Sequence, residues 1–444
     1  MENHTDIAVE ETAPRHRSRR AGWQNILLLT LVLWLLLPQA YKGALNSGSP
    51  ITGWDFRVLY NAAERLNKGE ELYTITGSGE GKTPYIYTPL VAEVLRPVAR
   101  LPFNDALKVC FAASAACLLL AILFYAGAVP LKPDEVAPAC IMVLVSFHFW
   151  PMVFNFGLGQ INNALLMLAC GMFWAERRER SGLAGVLIAL AALVKVWMFG
   201  ILIYPLMRRD WKAAGWAFGA YAIGLLALFA PRGLGEWSRF VHATASNAEQ
   251  RFLVSQSITG FARLHFQANP HVHAWSTSPV LYYGFIGLGY AVVGAMFVYL
   301  WSRRDPLTDY EARLWFGMAL LSVPLVSPLC HDEYYILALP LLWTLLTLPK
   351  ADTAGWRTRI SIAGVVLYAL FTRPWPTSGD GLLQHQDGLG SLLVSGYFLI
   401  GVALWIVAVC SIFQTRMRSI HKAASAPEPA AALLSGDLLN TASP

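Results

Sequence analysis

From Val136 to Ala175 the chain carries no Asp, Glu, Lys or Arg. A single helix of that length, at 1.5 Å per residue, would run about 60 Å, twice the roughly 30 Å of a bilayer's hydrocarbon core. The stretch therefore has to turn, and Gly157-Leu158-Gly159-Gln160 supplies the place. Two neighbouring apolar helices, each satisfying its own backbone, are what such a run can become in lipid. Apolar runs long enough to be helices in a membrane recur at 24–41, 104–131, 213–231, 274–302, 314–330, 334–349, 358–372 and 388–415. They are continuous rather than alternating, which argues against a β-barrel. With 14% of residues charged against about 25% in soluble domains, the chain reads as all-α, a polytopic integral membrane protein of about 11 or 12 helices.

Orientation follows from the basic clusters. Arg15, Arg17, Arg19 and Arg20; Arg177, Arg178 and Arg180; Arg208, Arg209 and Lys212; Arg303 and Arg304; and Arg416 and Arg418 all flank apolar runs. The positive-inside rule places them on the cytoplasmic face and accounts for the net charge of +6 without a nucleic-acid partner. Residues 1–22 and 416–444 read as disordered cytoplasmic tails, and 23–415 as one membrane domain. Outer loops are expected at 42–103 and 232–273. The segment 181–207 has basic clusters at both ends and Lys195 in its middle, which fits a pair of short helices dipping in and returning, or two spans with a very tight turn. No small-residue cleavage site follows Leu37, so the first apolar run reads as a retained helix. None of the six cysteines forms a CxxC pair, so neither zinc nor a redox couple is indicated.

A chain of this kind has few places for chemistry, and Asp55 is the most conspicuous. After it, Phe56, Leu59, Tyr60, Ala63 and Leu66 recur at helical spacing, while Arg57, Asn61, Glu64, Arg65 and Lys68 take the other face. This is an amphipathic helix for the membrane interface, closed by Gly69. Asp55 at its start either caps free backbone N–H groups or acts as a catalytic base. Lys195, flanked by Leu193, Val194, Val196 and Trp197, either snorkels to a headgroup region or binds phosphate. Gln160 and Asn162, at the helical turn, suit sugar hydroxyls or backbone caps equally. His331 lies beside Asp332 and Glu333, both of which read as solvated loop charges. His271-Val272-His273 has metal-like spacing, yet no third ligand lies near, and no DxD motif faces outward; no metal is expected.

Several stretches carry a resemblance. Trp54-Asp55-Phe56 through Ala62-Ala63, Leu72-Tyr73 and Tyr85-Ile86-Tyr87-Thr88-Pro89-Leu90 come first. Gly159-Gln160-Ile161-Asn162, Leu183-Ala184-Gly185 to Lys195, Gln256-Ser257 with Gly260 and Arg263, and Ser327-Pro328 with His331, Tyr334 and Tyr335 follow. In this order the chain, over roughly residues 50 to 345, resembles glycosyltransferase family 87. That family contains polyprenyl-phosphate-mannose-dependent mannosyltransferases of the GT-C membrane fold. Thr88 stands where the family commonly has a first Pro, and Ser255 where Asn often precedes Gln-Ser.

The resemblance implies a hexose, with mannose expected, moving from a polyprenyl-phosphate donor to a glycan or glycolipid acceptor. It implies Asp55 as general base and an inverting course, since phosphate leaves without a second carboxyl to protonate it. Lys195 and His331 become candidate phosphate contacts, and Gln160, Asn162, Gln256, Arg263, Tyr85 and Tyr87 substrate-binding candidates. The lipid-linked donor is a co-substrate, so no cofactor is expected. The setting implied is a bacterial cytoplasmic membrane with the active site on its outer face. The rival reading, a transporter or lipid flippase, would want paired intramembrane charges and an internal repeat, and no repeat is evident.

Overall fold

The computed structural model describes residues 52–73, 84–127, 136–250, 255–268, 273–304, 307–347, 356–372 and 389–424. The first apolar run at 24–41, the tail 1–22, the segment 373–387 and the pair His271-Val272 lie outside the described residues. Every described element is helical, as expected for the all-α class. Among the described residues four helices are long and apolar enough to cross a membrane, Phe103–Ala126, Trp211–Arg232, Pro279–Ser302 and Gly396–Met417, and a bent pair counted as one span makes a fifth. The protein is a polytopic membrane protein.

The amphipathic segment forms α1 (Trp54–Lys68), and Gly69 closes it at φ 73° with its N–H on the carbonyls of Arg65 and Leu66. A short α2 (Pro89–Leu95) precedes the long α3 (Phe103–Ala126). The uncharged stretch is broken twice. Helix α4 (Val136–Phe147) meets α5 (Trp150–Leu158) at 61°, and α6 (Asn162–Arg177) follows the expected glycine turn. The first break was not legible as a turn: Pro151 withholds an N–H, so a new helix begins there, with Phe149 in extended backbone.

The segment 181–207 divides at Lys195, where the backbone is extended (φ −136°, ψ 115°). Helix α7 (Ser181–Val194) leads in; a 3₁₀ stretch, Val196–Leu202, and α8 (Ile203–Met207) lead out. Both limbs come to about 21 Å from helical rises. They return to one place, because Arg208 Nε sits 2.7 Å from Glu176 Oε1 just before α7 begins. The in-and-back reading thus gives the better description, with Lys195 at the far tip.

Helix α9 (Trp211–Phe229) packs along α7, and a side chain at Gly185 would strike its backbone at Ala213. Then come α10 (Leu234–Gln250), α11 (Ile258–Phe266), α12 (Pro279–Ser302) and α13 (Asp309–Val326), the last opened by a Thr308–Glu311 capping box. A 3₁₀ helix, Asp332–Ala338, leads into α14 (Leu339–Leu346); α15 (Trp356–Phe371), α16 (Leu389–Val394) and α17 (Gly396–Ala424) complete the described residues, so 416–424, expected as the start of a disordered tail, continues the last helix. On α9 and α12, Phe218, Ile223, Leu226, Val280 and Leu288 are exposed, the apolar outer surface that lipid covers.

Among the described residues, basic groups from several helices gather at one end of this bundle. Arg208 pairs with Glu176, Arg177 and Arg313 with Asp309, and Arg416 with Glu311, while Arg178 donates to the Gly127 carbonyl. Helix α6 runs about 24 Å from that end to Asn162. At the opposite end, Val58, Leu59, Tyr73, Tyr85, Tyr87, Phe229 and Phe240 form a separate apolar cluster built from the two expected outer loops and the end of α9.

Candidate active site

Asp55 stands second in α1. The cap position is taken by Gly53 at φ 69° without a side-chain hydrogen bond, so Asp55 does not occupy the cap itself. Its carboxylate instead lies in the first turn, where the unpaired N–H groups and the helix dipole favour negative charge. Two contacts fix that turn. Gly53 N–H donates to Gly157 O at 2.8 Å, and Phe56 is buried against Ala106 and Leu107 of α3.

Gly159 completes the seat. It adopts φ +69°, and a Cβ there would come within 2.6 Å of Phe56 Cβ. Gly159→Ala is therefore expected to push α1 away and displace Asp55. If Asp55 is the catalytic group, turnover in lipid nanodiscs should fall at least about tenfold, the scale of a misplaced reacting group. Unchanged turnover would mean that Asp55 does not need this seat.

The glycine turn aims Gln160 at Asp55. Gln160 Nε2 donates to Asp55 Oδ2 at 2.6 Å. Its Oε1 accepts from Lys195 Nζ at 3.2 Å and from Tyr87 Oη at 3.2 Å. Burial pushes the Tyr87 phenol well above its ordinary range, so it remains an O–H donor. Two donors at Oε1 leave Nε2 for the carboxylate, so the amide has one consistent orientation. Tyr73 Oη donates to Tyr87 O at 2.7 Å and holds this loop in place.

Lys195 Nζ also donates to Asn162 Oδ1 at 2.7 Å and faces the rings of Tyr334 at 4.2 Å, Tyr87 at 5.4 Å and Trp197 at 5.8 Å. Snorkelling is thus excluded for it: the ammonium is buried in amides and aromatic faces. Thr88, at a departure from the family pattern, donates through Oγ1 to Leu193 O and ties the loop to the end of α7, just before Lys195.

Glu333 corrects the sequence reading. Instead of a solvated loop charge it is 2% exposed, with Asp332 at 5%, because the 3₁₀ helix Asp332–Ala338 turns this polar run inward against α5, α6 and α13. Glu333 interacts electrostatically with both Asp55 and Lys195. His331 meets the cluster at its edge, with its ring 5.7 Å from that of Tyr334.

Other candidates stand apart. Gln256 spends both side-chain groups on the backbone, donating to Val394 O at 2.6 Å and accepting from Phe398 N at 3.2 Å. Arg263 donates to Tyr282 Oη at 3.3 Å across the α11–α12 pair. Tyr85 Oη donates to Thr88 O at 2.7 Å and accepts from Ala92 N at 3.1 Å, shaping the loop rather than the pocket. The structure thus unites Asp55, Tyr87, Gln160, Asn162, Lys195 and Glu333, with His331 adjoining.

This constellation contains a carboxylate, a buried cation some way beyond it and amides between them. Comparison with known proteins gives a matching picture. The model of glycosyltransferase family 87 matches residues 85–328. A polyprenol-phosphate-mannose-dependent alpha-(1-2)-phosphatidylinositol mannoside mannosyltransferase of Mycobacterium tuberculosis is 27% identical over 327 residues, which cover 68% of this chain and 70% of that protein. An alpha-(1->3)-arabinofuranosyltransferase of Corynebacterium glutamicum is 23% identical over 349 residues, 74% of this chain and 76% of the relative. GPI mannosyltransferase 1 of Gibberella zeae is 29% identical over 175 residues, but these span only 38% of this chain and 37% of the fungal protein.

Proposed function

The chain belongs to glycosyltransferase family 87, and from that membership we propose that it transfers mannose from a polyprenyl-phosphate donor to a glycan or glycolipid acceptor. Membrane embedding and the glycosyltransferase class are the premise. The sugar, the acceptor and the residue roles are the proposal. Relatives named for polyprenol-phosphate-mannose dependence, phosphatidylinositol mannoside and GPI support a lipid-linked donor and a glycolipid acceptor.

One observation carries the mechanism: the Asp55 carboxylate and the Lys195 ammonium are joined through a single amide, Gln160, with its orientation fixed. In the proposed reaction Asp55 takes the proton of an acceptor hydroxyl as its oxygen attacks the anomeric carbon. The bond from that carbon to the phosphate oxygen breaks on the far side, inverting the centre, and the phosphate departs towards Lys195. Asn162 and Gln160 hold the ammonium, and the aromatic rings of Tyr87, Trp197 and Tyr334 exclude water around it. Helix α1 lies at the interface and would present the acceptor.

The collection of basic groups at the other end of the bundle supports a multi-pass protein of a bacterial cytoplasmic membrane, with the site on the outer face. The test is transfer of radiolabel in nanodiscs from polyprenyl-phosphate mannose to a host glycolipid extract, beside a polyprenyl-phosphate pentofuranose donor. Label from mannose in a new glycolipid is the expected result. Preference for the pentose donor would move the reading towards the arabinofuranosyltransferase relative. Transfer from neither, with donor crossing the bilayer, would establish a flippase.

A further inference from the structure

Within this cluster the described residues place two carboxyl groups, Asp55 and Glu333, beside one ammonium, Lys195. They differ in surroundings. Asp55 sits in the first turn of a helix and accepts from the Gln160 amide, the setting of an anion. Glu333 is 2% exposed, and its Oε2 has no hydrogen-bond partner among the described residues. Nor does it form an ion pair with Lys195, whose hydrogen bonds go to Gln160 and Asn162. A carboxylate buried in that way is strongly disfavoured, whereas the neutral acid is tolerated.

Charge balance sharpens the point. A sugar phosphate esterified to a polyprenol is a diester bearing one negative charge. Beside Lys195 it would give three anions and one cation if both carboxyls were ionised, an arrangement that a buried site does not support. Glu333 lies outside the candidate membrane spans, and burial, followed by the nearby Asp55 charge, raises its carboxyl above the ordinary carboxylate range. The charged and titratable groups that act on it are Asp55, Tyr87, Lys195, Cys330, Asp332 and Tyr334.

We propose that Glu333 works as a neutral carboxylic acid, donating a hydrogen bond through its O–H to a phosphate oxygen of the donor beside Lys195. The assignment rests on the transferase reading above. As the glycosidic C–O bond breaks, its electron pair stays on the phosphate oxygen, and the acceptor's proton goes to Asp55. Glu333 keeps its own proton and binds the oxygen on which charge accumulates. Asn162 Nδ2, also buried without a partner among the described residues, is available to the same group.

Two measurements test this on the full chain in nanodiscs. Infrared difference spectra between the parent and Glu333→Gln at pH 7 should contain a protonated-carboxyl C=O band, and adding polyprenyl phosphate should shift it. In transfer assays Glu333→Gln, whose amide still donates, should remain within about tenfold of the parent, while Glu333→Ala loses on the order of a hundredfold. Absence of the band, or a Gln variant as inactive as Ala, would overturn the proposal in favour of an ionised counter-charge. If the parent transfers nothing, the transferase reading falls; a band that still moves with polyprenyl phosphate would uphold the Glu333 contact, and an unmoved band would remove it.

Discussion

Asp55→Asn is expected to abolish glycosyl transfer, with kcat lower by a factor on the order of 10³, within the 10² to 10⁴ that a positioned general base supplies. The substitution changes no volume and removes no apolar contact, so α1 keeps its seat on Gly159 and Phe56 remains against α3. What it removes is the proton acceptor. It also places an amide opposite the Gln160 amide, whose Nε2 donates to Asp55 Oδ2. Gln160 cannot simply turn over, because its Oε1 already accepts from Lys195 and Tyr87. The carbonyl of the introduced asparagine would face Gln160 instead, leaving only an NH₂ group for the acceptor hydroxyl. Donor affinity, measured by binding of the labelled lipid, should change by no more than about threefold, since Lys195 is untouched. Transfer by Asp55→Asn above about a tenth of the parent rate would remove Asp55 from proton abstraction.

How much of this was legible in sequence depends on the distance between partners. Helix α1 was, because Phe56, Leu59, Ala63 and Leu66 state its period and Gly69 its end within one short window. So was the turn at Gly157-Leu158-Gly159, since glycine alone accepts the φ found at Gly159 at no cost. Lys195 stood out as a charge in an apolar run. The bond that gives Asp55 its meaning, by contrast, joins residues 105 positions apart, and no local pattern contains it. Gln256 shows the converse case: its polar motif suggested a ligand, while the fold uses it to fasten residues 138 and 142 positions away. Glu333 was hidden by its neighbours. His331-Asp332-Glu333 reads as a wet loop, and only the packing of Tyr334, Tyr335 and the following apolar residues draws the segment inward.

Lys195→Met separates a catalytic cation from a structural one. If the ammonium served stability, its loss would lower the unfolding temperature. Little net change is expected here, because the cost of burying the ammonium, which forms no direct ion pair, disappears with it and offsets the hydrogen bonds lost. The aromatic walls of Tyr87, Trp197 and Tyr334 can pack on a thioether, although Asn162 and Gln160 each lose a donor. Activity should behave differently. Phosphate leaves with growing negative charge, and the ammonium is held by the Gln160 and Asn162 amides of this group. Removing such a preorganised electrostatic contact costs about 2.7–4 kcal/mol, or 10² to 10³ in kcat. Lys195→Arg should not restore it, since a planar guanidinium does not fit the space of a compact ammonium held by two amide oxygens. The decisive pair of measurements is therefore kcat and thermal unfolding on the same nanodisc sample. A large fall in kcat at an unchanged or higher midpoint assigns Lys195 to the leaving group. A fall in both, restored together by added lipid or lower temperature, would return it to the framework.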